Sequence, residues 1–299
     1  MSSPSLVSVD PVDAPEPPSV RLTLPAKPEN VGLARQVLAG LAEALDADDE
    51  LVADMKIAVT EAVNNIVLHA YPERVGPAEV TMTSNLEQLV ISIRDQGAGM
   101  NPLPADADAP ARLGFGFAMM ASLCDQFGIN SGTAGTEVRM RFAVRERATP
   151  DVDELFDTPR PIDAGPAPRG DIVLVLTPGA PAAAVLGRFV SLLAAQASLS
   201  LDRMSDLQLV SDALALHTPR RTVTGTFHVS ASGHDSGFDL RVGPLQAGGS
   251  EAIVADATLA GVGSLLHLLS DGIASEPVKG GAPGTEFLRL RLTRASRRR

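Results

Sequence analysis

Glu61, Asn65 and His69 stand four residues apart in the stretch IAVTEAVNNIVLHAY, which runs from Ile57 to Tyr71. On a helix that spacing makes one stripe, and here it falls on or beside the apolar side marked out by Ile, Val, Ala and Leu at helical spacing. An asparagine amide oxygen is a hard, neutral ligand suited to Mg2+, which keeps most of its waters and draws further oxygens from phosphates. A glutamate one turn earlier can accept the proton of an attacking hydroxyl, or orient a water, as a general base. Three glycine-bearing clusters follow: DQGAG (Asp95 to Gly99) after an apolar strand, GFG (Gly114 to Gly116) opening a helix, and GTE (Gly135 to Glu137) on the last strand of the unit. Gly97 and Gly99 let the backbone turn tightly and lie against a flat ligand. Gly114 and Gly116 place backbone N–H groups at a helix start, where the dipole favours an anion. Between these clusters lies NPLPADADAPARL (Asn101 to Leu113), whose only base, Arg112, can meet phosphate directly. His69 reads as a side chain that hydrogen-bonds near its helix end, and Cys124 as a small buried apolar residue.

Positioning these groups takes alternating strands and amphipathic helices. The pattern predicts a strand over 20–24, a helix over 31–45, the Glu61 helix over 51–70, strands over 79–84 and 89–94, a helix over 116–126, and strands over 127–130 and 136–142. Residues 1–18, rich in Pro, Ser and Asp, read as a flexible arm. Residues 145–170 hold five prolines and no sustained periodicity, which marks a linker.

After the linker the chain begins again. DIVLVL answers SVRLTL, DLQLVSDALALH answers DMKIAVTEAVNN, GVGSLLHLLSD answers GFGFAMMASLCD, and PGTEFLRLRL answers AGTEVRMRF. The expected organisation is a first unit over 19–144, a second over 171–293, and a basic tail over 294–299, a tandem duplication. In the second unit Asp212 is expected at the place of Glu61, Leu216 at that of Asn65 and Val242 at that of Asp95, while Gly261, Gly263 and Gly284-Thr285 survive.

The order of these clusters resembles the N, G1 and G2 boxes of the GHKL, or Bergerat-fold, ATPase superfamily. The closest resemblance is to its anti-sigma factor serine kinases, whose N box reads E-A-V-x-N-x-x-x-H-x-Y, as do Glu61, Ala62, Val63, Asn65, His69 and Tyr71. It covers 19–143 well and the second half weakly. The resemblance implies an α/β two-layer sandwich in each half, a mixed sheet with helices on one face. It implies ATP and Mg2+ as ligands, Asn65 as the metal residue, Glu61 as the base, Asp95 as acceptor for the adenine amino group, and Thr136 as a hydroxyl reaching towards adenine. Gly97, Gly99, Gly114 and Gly116 complete the nucleotide site, and Arg112 joins Glu61 in transfer. It also implies a sigma factor and a STAS-domain antagonist as partners, the second half being a degenerate copy that supplies an intramolecular pseudo-dimer partner. The competing class is a binding module that works by sequestration alone.

Composition fits this reading. A formal net charge of -11 over 299 residues argues against long-range attraction to nucleic acid or anionic membrane. One cysteine allows no intramolecular disulfide, which fits a reducing cytoplasm. Neither a signal peptide nor a long apolar span is expected.

Overall fold

The computed structural model describes residues 17–85, 87–100, 114–144, 171–259 and 263–294. The segment 101–113 with Arg112, the linker, Gly261, nearly all of the N-terminal arm and all but the first residue of the tail lie outside them. The first half runs β1 (Ser19–Pro25), α1 (Val31–Ala44), α2 (Asp49–Asn65), β2 (Pro77–Ser84), β3 (Gln88–Asp95), α3 (Phe115–Leu123), β4 (Gln126–Gly132) and β5 (Gly135–Ala143). The second runs β6 (Ile172–Leu176), α4 (Ala182–Gln196), α5 (Leu201–His217), β7 (Phe227–His234) and β8 (Gly237–Leu245). It continues through α6 (Gly249–Asp256), the short pair β9 (Thr258–Leu259) and β10 (Gly263–Ser264), α7 (Leu265–Leu269), β11 (Gly272–Pro277) and β12 (Glu286–Thr293). The elements expected in the first half are all present; α6 and the β9–β10 pair were not expected.

Ten strands form one sheet in the order β11-β12-β8-β7-β6-β1-β2-β3-β5-β4. The expected mixed sheet is corrected: every neighbouring pair in it is antiparallel. The crossover through α3 does return β4 in the direction of β3, but β5 inserts between them and pairs with both. Period-2 alternation aims Ala78, Val80 and Met82 of β2 into the core and leaves Glu79, Thr81 and Thr83 on the other face.

The two halves meet at β1 and β6, where Leu22 faces Leu174 and both are fully buried. At the same seam α1 lies on α4. A Cβ added to Gly40 would sit 2.6 Å from the Ala184 carbonyl oxygen, so the helix backbones touch there with nothing between. Glu43 closes the contact with a 2.6 Å ion pair to Arg188.

Several details recur between the halves 152 positions apart. Asp46 and Ser198 are left-handed at φ 56° and 55°. The Asp48 and Ser200 side chains cap α2 and α5 by accepting from the N–H groups of Leu51 and Arg203. Both capped helices are 17 residues long. At shorter offsets, Asp125 and Asp271 also each accept from a backbone N–H of the last strand of their half, that of Ala143 at 2.6 Å and that of Thr293 at 2.8 Å. These fixed points correct the expected correspondence. Ala213, not Asp212, falls at the place of Glu61, and His217, not Leu216, at that of Asn65. For the third position, Leu24 pairs with Ala78, which pairs with Asp95. Leu176 pairs with Phe227, and the ladder through His228 and Gly243 sets Pro244, not Val242, opposite Phe227. Matching acid with acid drew Asp212 one residue out of register; the cap fixes the helix phase.

Candidate functional site

Glu61 and Asn65 reach the site because α2 starts firmly and ends loosely. Asp48 caps its first turn at 2.8 Å, with Asp49 and Glu50 on the positive end of the helix dipole. Met55, Ala58, Val59, Ala62 and Val63 bury one side, which turns Glu61 and Asn65 to the edge of the core. The expected continuation to residue 70 is corrected: the α-helix stops at Asn65 and passes into one wide π turn, Ile66–Ala70. Such turns widen the backbone and recur at functional sites. His69 lies exposed on it, at the rim of the site.

Asp95 is the last residue of β3 and is 5% exposed. Its Oδ1 accepts from the N–H of Gly97 at 2.7 Å and of Thr136 at 3.2 Å, leaving Oδ2 for another donor. Glycine is required around it by contact. An added Cβ would come to 2.2 Å from the Ala70 carbonyl oxygen at Gly97, 2.1 Å from that of Gly132 at Gly99, and 2.1 Å from that of Asp95 at Gly135. Gly99 and Gly135 are also left-handed, at φ 71° and 116°. The Asp95–Gly99 turn is therefore clamped between the π turn that follows α2 and the β4–β5 hairpin. Ser131 adds to the clamp: its hydroxyl accepts from Met100 N–H at 2.7 Å and pairs with the Thr136 hydroxyl at 2.9 Å.

Opposite, Gly114 at φ 114° opens α3, and Gly116 brings its backbone onto Glu61: an added Cβ would lie 2.1 Å from Glu61 Oε1. A cleft of about 450 Å3 results, lined by Glu61, Asn65, His69, Asp95, Thr136 and the 114–117 turn among others, within the range of small-ligand sites. The sequence-derived residues Glu61, Asn65, Asp95, Gly99, Gly114, Gly116 and Thr136 all line it; Gly97 shapes its wall, and Arg112 lies outside the described residues. Asn65 Nδ2 is buried without a hydrogen-bond partner. An unpaired amide donor at this cleft suits an acceptor such as an anion's oxygen, while the amide oxygen and the two carboxylates suit the cation that would accompany it.

On the other face of the sheet Glu137 is held by Ser92 and Arg139. Burial disfavours its ionisation, but these hydrogen bonds and the charges of Arg139 and Arg94 prevail and keep its carboxyl below the usual range. Cys124, half-buried, donates to the Met120 carbonyl at 3.2 Å, and burial pushes its thiol up to about 12.

Two contributors escaped the sequence reading. Ser131 carried no signal. Tyr71 was visible as the only tyrosine of the chain, at the end of the helix, but without a role. Among the described residues of the second half, Ala213, His217 and Pro244 at the related positions supply neither carboxylate nor amide, and the Glu286 carboxylate accepts from the Ser250 N–H at the start of α6 at 2.7 Å.

The family described as Histidine kinase-like ATPase domain matches residues 24–142. An "Anti-sigma F factor" of Thermoanaerobacter sp. (strain X514) is 33% identical over 129 residues, which are 40% of this chain and 90% of that protein. A "Serine-protein kinase RsbW" of Bacillus licheniformis is 31% identical over 140 residues, 43% of this chain and 88% of that one. The solved RsbU and RsbW domains of Rv1364c from Mycobacterium tuberculosis superpose at a TM-score of 0.34 and 24% identity over 45% of this chain and 34% of that one, too little to bear on function. No helix among the described residues is long and apolar enough to cross a membrane. The chain belongs to the histidine kinase-like ATPase family, through a domain that spans residues 24–142.

Proposed function

We propose that this chain is an ATP-binding anti-sigma regulator of the serine-kinase type, which sequesters a sigma factor in the cytoplasm and phosphorylates a serine of a STAS-domain antagonist. The observation that carries the reading is the convergence on one cleft of Glu61 and Asn65, one turn apart, with the buried Asp95 on a facing wall. Asp95 Oδ2 accepts from the adenine amino group. Asn65 would hold Mg2+ through its amide oxygen, and the ion would supply neutralisation of phosphate charge during transfer. The N–H groups at Gly114 and Gly116 face the phosphates from a helix start. Glu61 takes the proton of the serine hydroxyl, and Arg112 steadies the transferring group.

The second half is read as a degenerate copy that occupies the partner side of the sheet, so that one chain carries one nucleotide site. Light scattering is expected to show a monomer; a dimer formed through the first half would sink that part.

The test is to mix the protein with a candidate STAS-domain partner and ATP·Mg2+, and look for phosphoserine by mass spectrometry. Phosphoserine in the partner, absent with Glu61→Gln, supports the kinase. ATP binding and partner capture with no phosphoserine would leave sequestration alone.

A further inference from the structure

Tyr71 ends the stretch that carries Glu61 and Asn65, yet it does not line the cleft. It is 9% exposed. Its hydroxyl donates to the Pro77 carbonyl at 2.7 Å and accepts from the Gln96 N–H at 2.8 Å. Pro77 begins β2, and Gln96 follows Asp95 directly, so one hydroxyl ties the end of the α2 segment to a strand start and to the residue beside the buried carboxylate. The ring is fixed as well. A Cβ on Gly76 would come to 2.2 Å from it, and the Arg74 guanidinium lies over its face at 5.2 Å. Burial pushes the phenol above its ordinary value, although the Gln96 hydrogen bond works the other way, so the hydroxyl stays protonated and able to donate.

The Gly97 N–H bond to Asp95 Oδ1 is internal to the turn and does not locate it relative to α2. The Ala70 carbonyl only abuts Gly97. Tyr71 makes the directional bond between the helix that bears Asn65 and the turn that bears Asp95. We propose that Tyr71 is a positioning residue for base recognition: it sets the distance between the metal-side amide and the adenine-side carboxylate, so that Asp95 Oδ2 meets the base while the phosphates lie at Asn65. This deepens the nucleotide reading above and rests on it. Removing the hydroxyl takes their shared partner from the part-buried Gln96 N–H and Pro77 carbonyl, and the turn gains freedom to move away from the base.

The experiment compares full-length wild type with Tyr71→Phe for two ligands by calorimetric titration: ATP·Mg2+, and purine riboside triphosphate with Mg2+, which lacks the 6-amino group that Asp95 would read. Wild type is expected to prefer ATP by about tenfold or more, as a lost hydrogen bond to a charged acceptor implies. Tyr71→Phe should lose most of that preference, ATP affinity falling about tenfold and analogue affinity less than about threefold. A residue that only supports the fold would weaken both ligands alike and leave their ratio unchanged; that result overturns the proposal. Gly76→Ala displaces the ring while keeping the hydroxyl, and serves as a second route should Tyr71→Phe unfold. It should collapse the same ratio, and a folded Gly76→Ala protein with wild-type discrimination would also overturn the proposal. Failure of the wild type to bind ATP at all would instead bring down the nucleotide reading, and this inference with it.

Discussion

Gly116→Ala separates Glu61, the base proposed above, from the rest of the site more cleanly than deletion of the residue. Built on the present backbone, the new methyl lies 2.1 Å from Glu61 Oε1, 3.0 Å from Cδ and 3.3 Å from Cγ. Non-bonded carbon and oxygen need roughly 3.5 Å, so the carboxylate must retreat by about 1 Å or more. It can do so, because it ends a flexible side chain and the helix need not move. Position 116 lies in the first turn of α3, where alanine is the better helix former by up to about 1 kcal/mol, so the melting temperature should hold or rise by about 2 °C. The N–H of residue 116 and the Asp95 carboxylate are untouched, and ATP affinity should stay within about threefold of wild type, or about 0.7 kcal/mol. A reacting group misplaced by about 1 Å costs about 10²-fold, so transfer should fall by about 2.7 kcal/mol in barrier. Single-turnover phosphotransfer at saturating ATP measures this, with Glu61→Ala as the floor and calorimetry as the control. Unchanged transfer would show that Glu61 is not the base, and a parallel loss of ATP affinity would show that Gly116 serves binding instead.

Asp95→Asn keeps an oxygen for the Gly97 and Thr136 N–H groups but turns the other oxygen into a donor, which would face the amino group of the adenine proposed there. Calorimetry should show ATP affinity lower by about 1.5–3 kcal/mol, some 10- to 150-fold, with the melting temperature nearly unchanged. Cys124 has its thiol raised from 9.0 to about 12 in the folded chain, so both states are protonated at neutral pH and its contribution is constant there. As pH climbs above about 9 the unfolded thiol ionises first, and stability should drain away until about pH 12. Cys124→Ala should reduce that alkaline loss in pH-dependent melts, and iodoacetamide at pH 8.5 should label the wild type slowly until urea is added. Gly40→Leu would drive a side chain into the Ala184 backbone, and overpacking of about 1–3 kcal/mol should lower the melting temperature by roughly 2–10 °C.

Much of the first half was legible because its signals are local. The alternation in VTMTS and VISIR fixed two strands, and the order of the Glu61, Asp95, Gly114 and Gly135 clusters named the cleft they build. Other features were not. The π turn after Asn65 cannot be told from α-helix by periodicity, since Ile66 and Val67 fit either. Purely antiparallel pairing depends on β5 inserting between β3 and β4, a long-range event. Asp212 stands one residue out of register because its likeness to Glu61 is only of side-chain type, while helix phase is set by the Asp48 and Ser200 caps. Glu286 read only as part of a GTE echo, and nothing in the sequence placed its carboxylate on α6.

The seam between α1 and α4 is approximately two-fold, but its two crossings are filled differently. Gly40 presses on Ala184, whereas the crossing related to it by the 152-residue offset sets Leu192 against Gly32. The Glu43–Arg188 ion pair likewise has Gln36 and Ala195 at its related positions. Two identical subunits could not hold such an arrangement, because in an isologous contact any substitution appears twice and must suit its own image. Joined in one chain, each position is free to change alone, and a bulky residue on one side can be met by a small one on the other. The near-symmetry survives in the backbone while each side of the contact is shaped to fit a different neighbour.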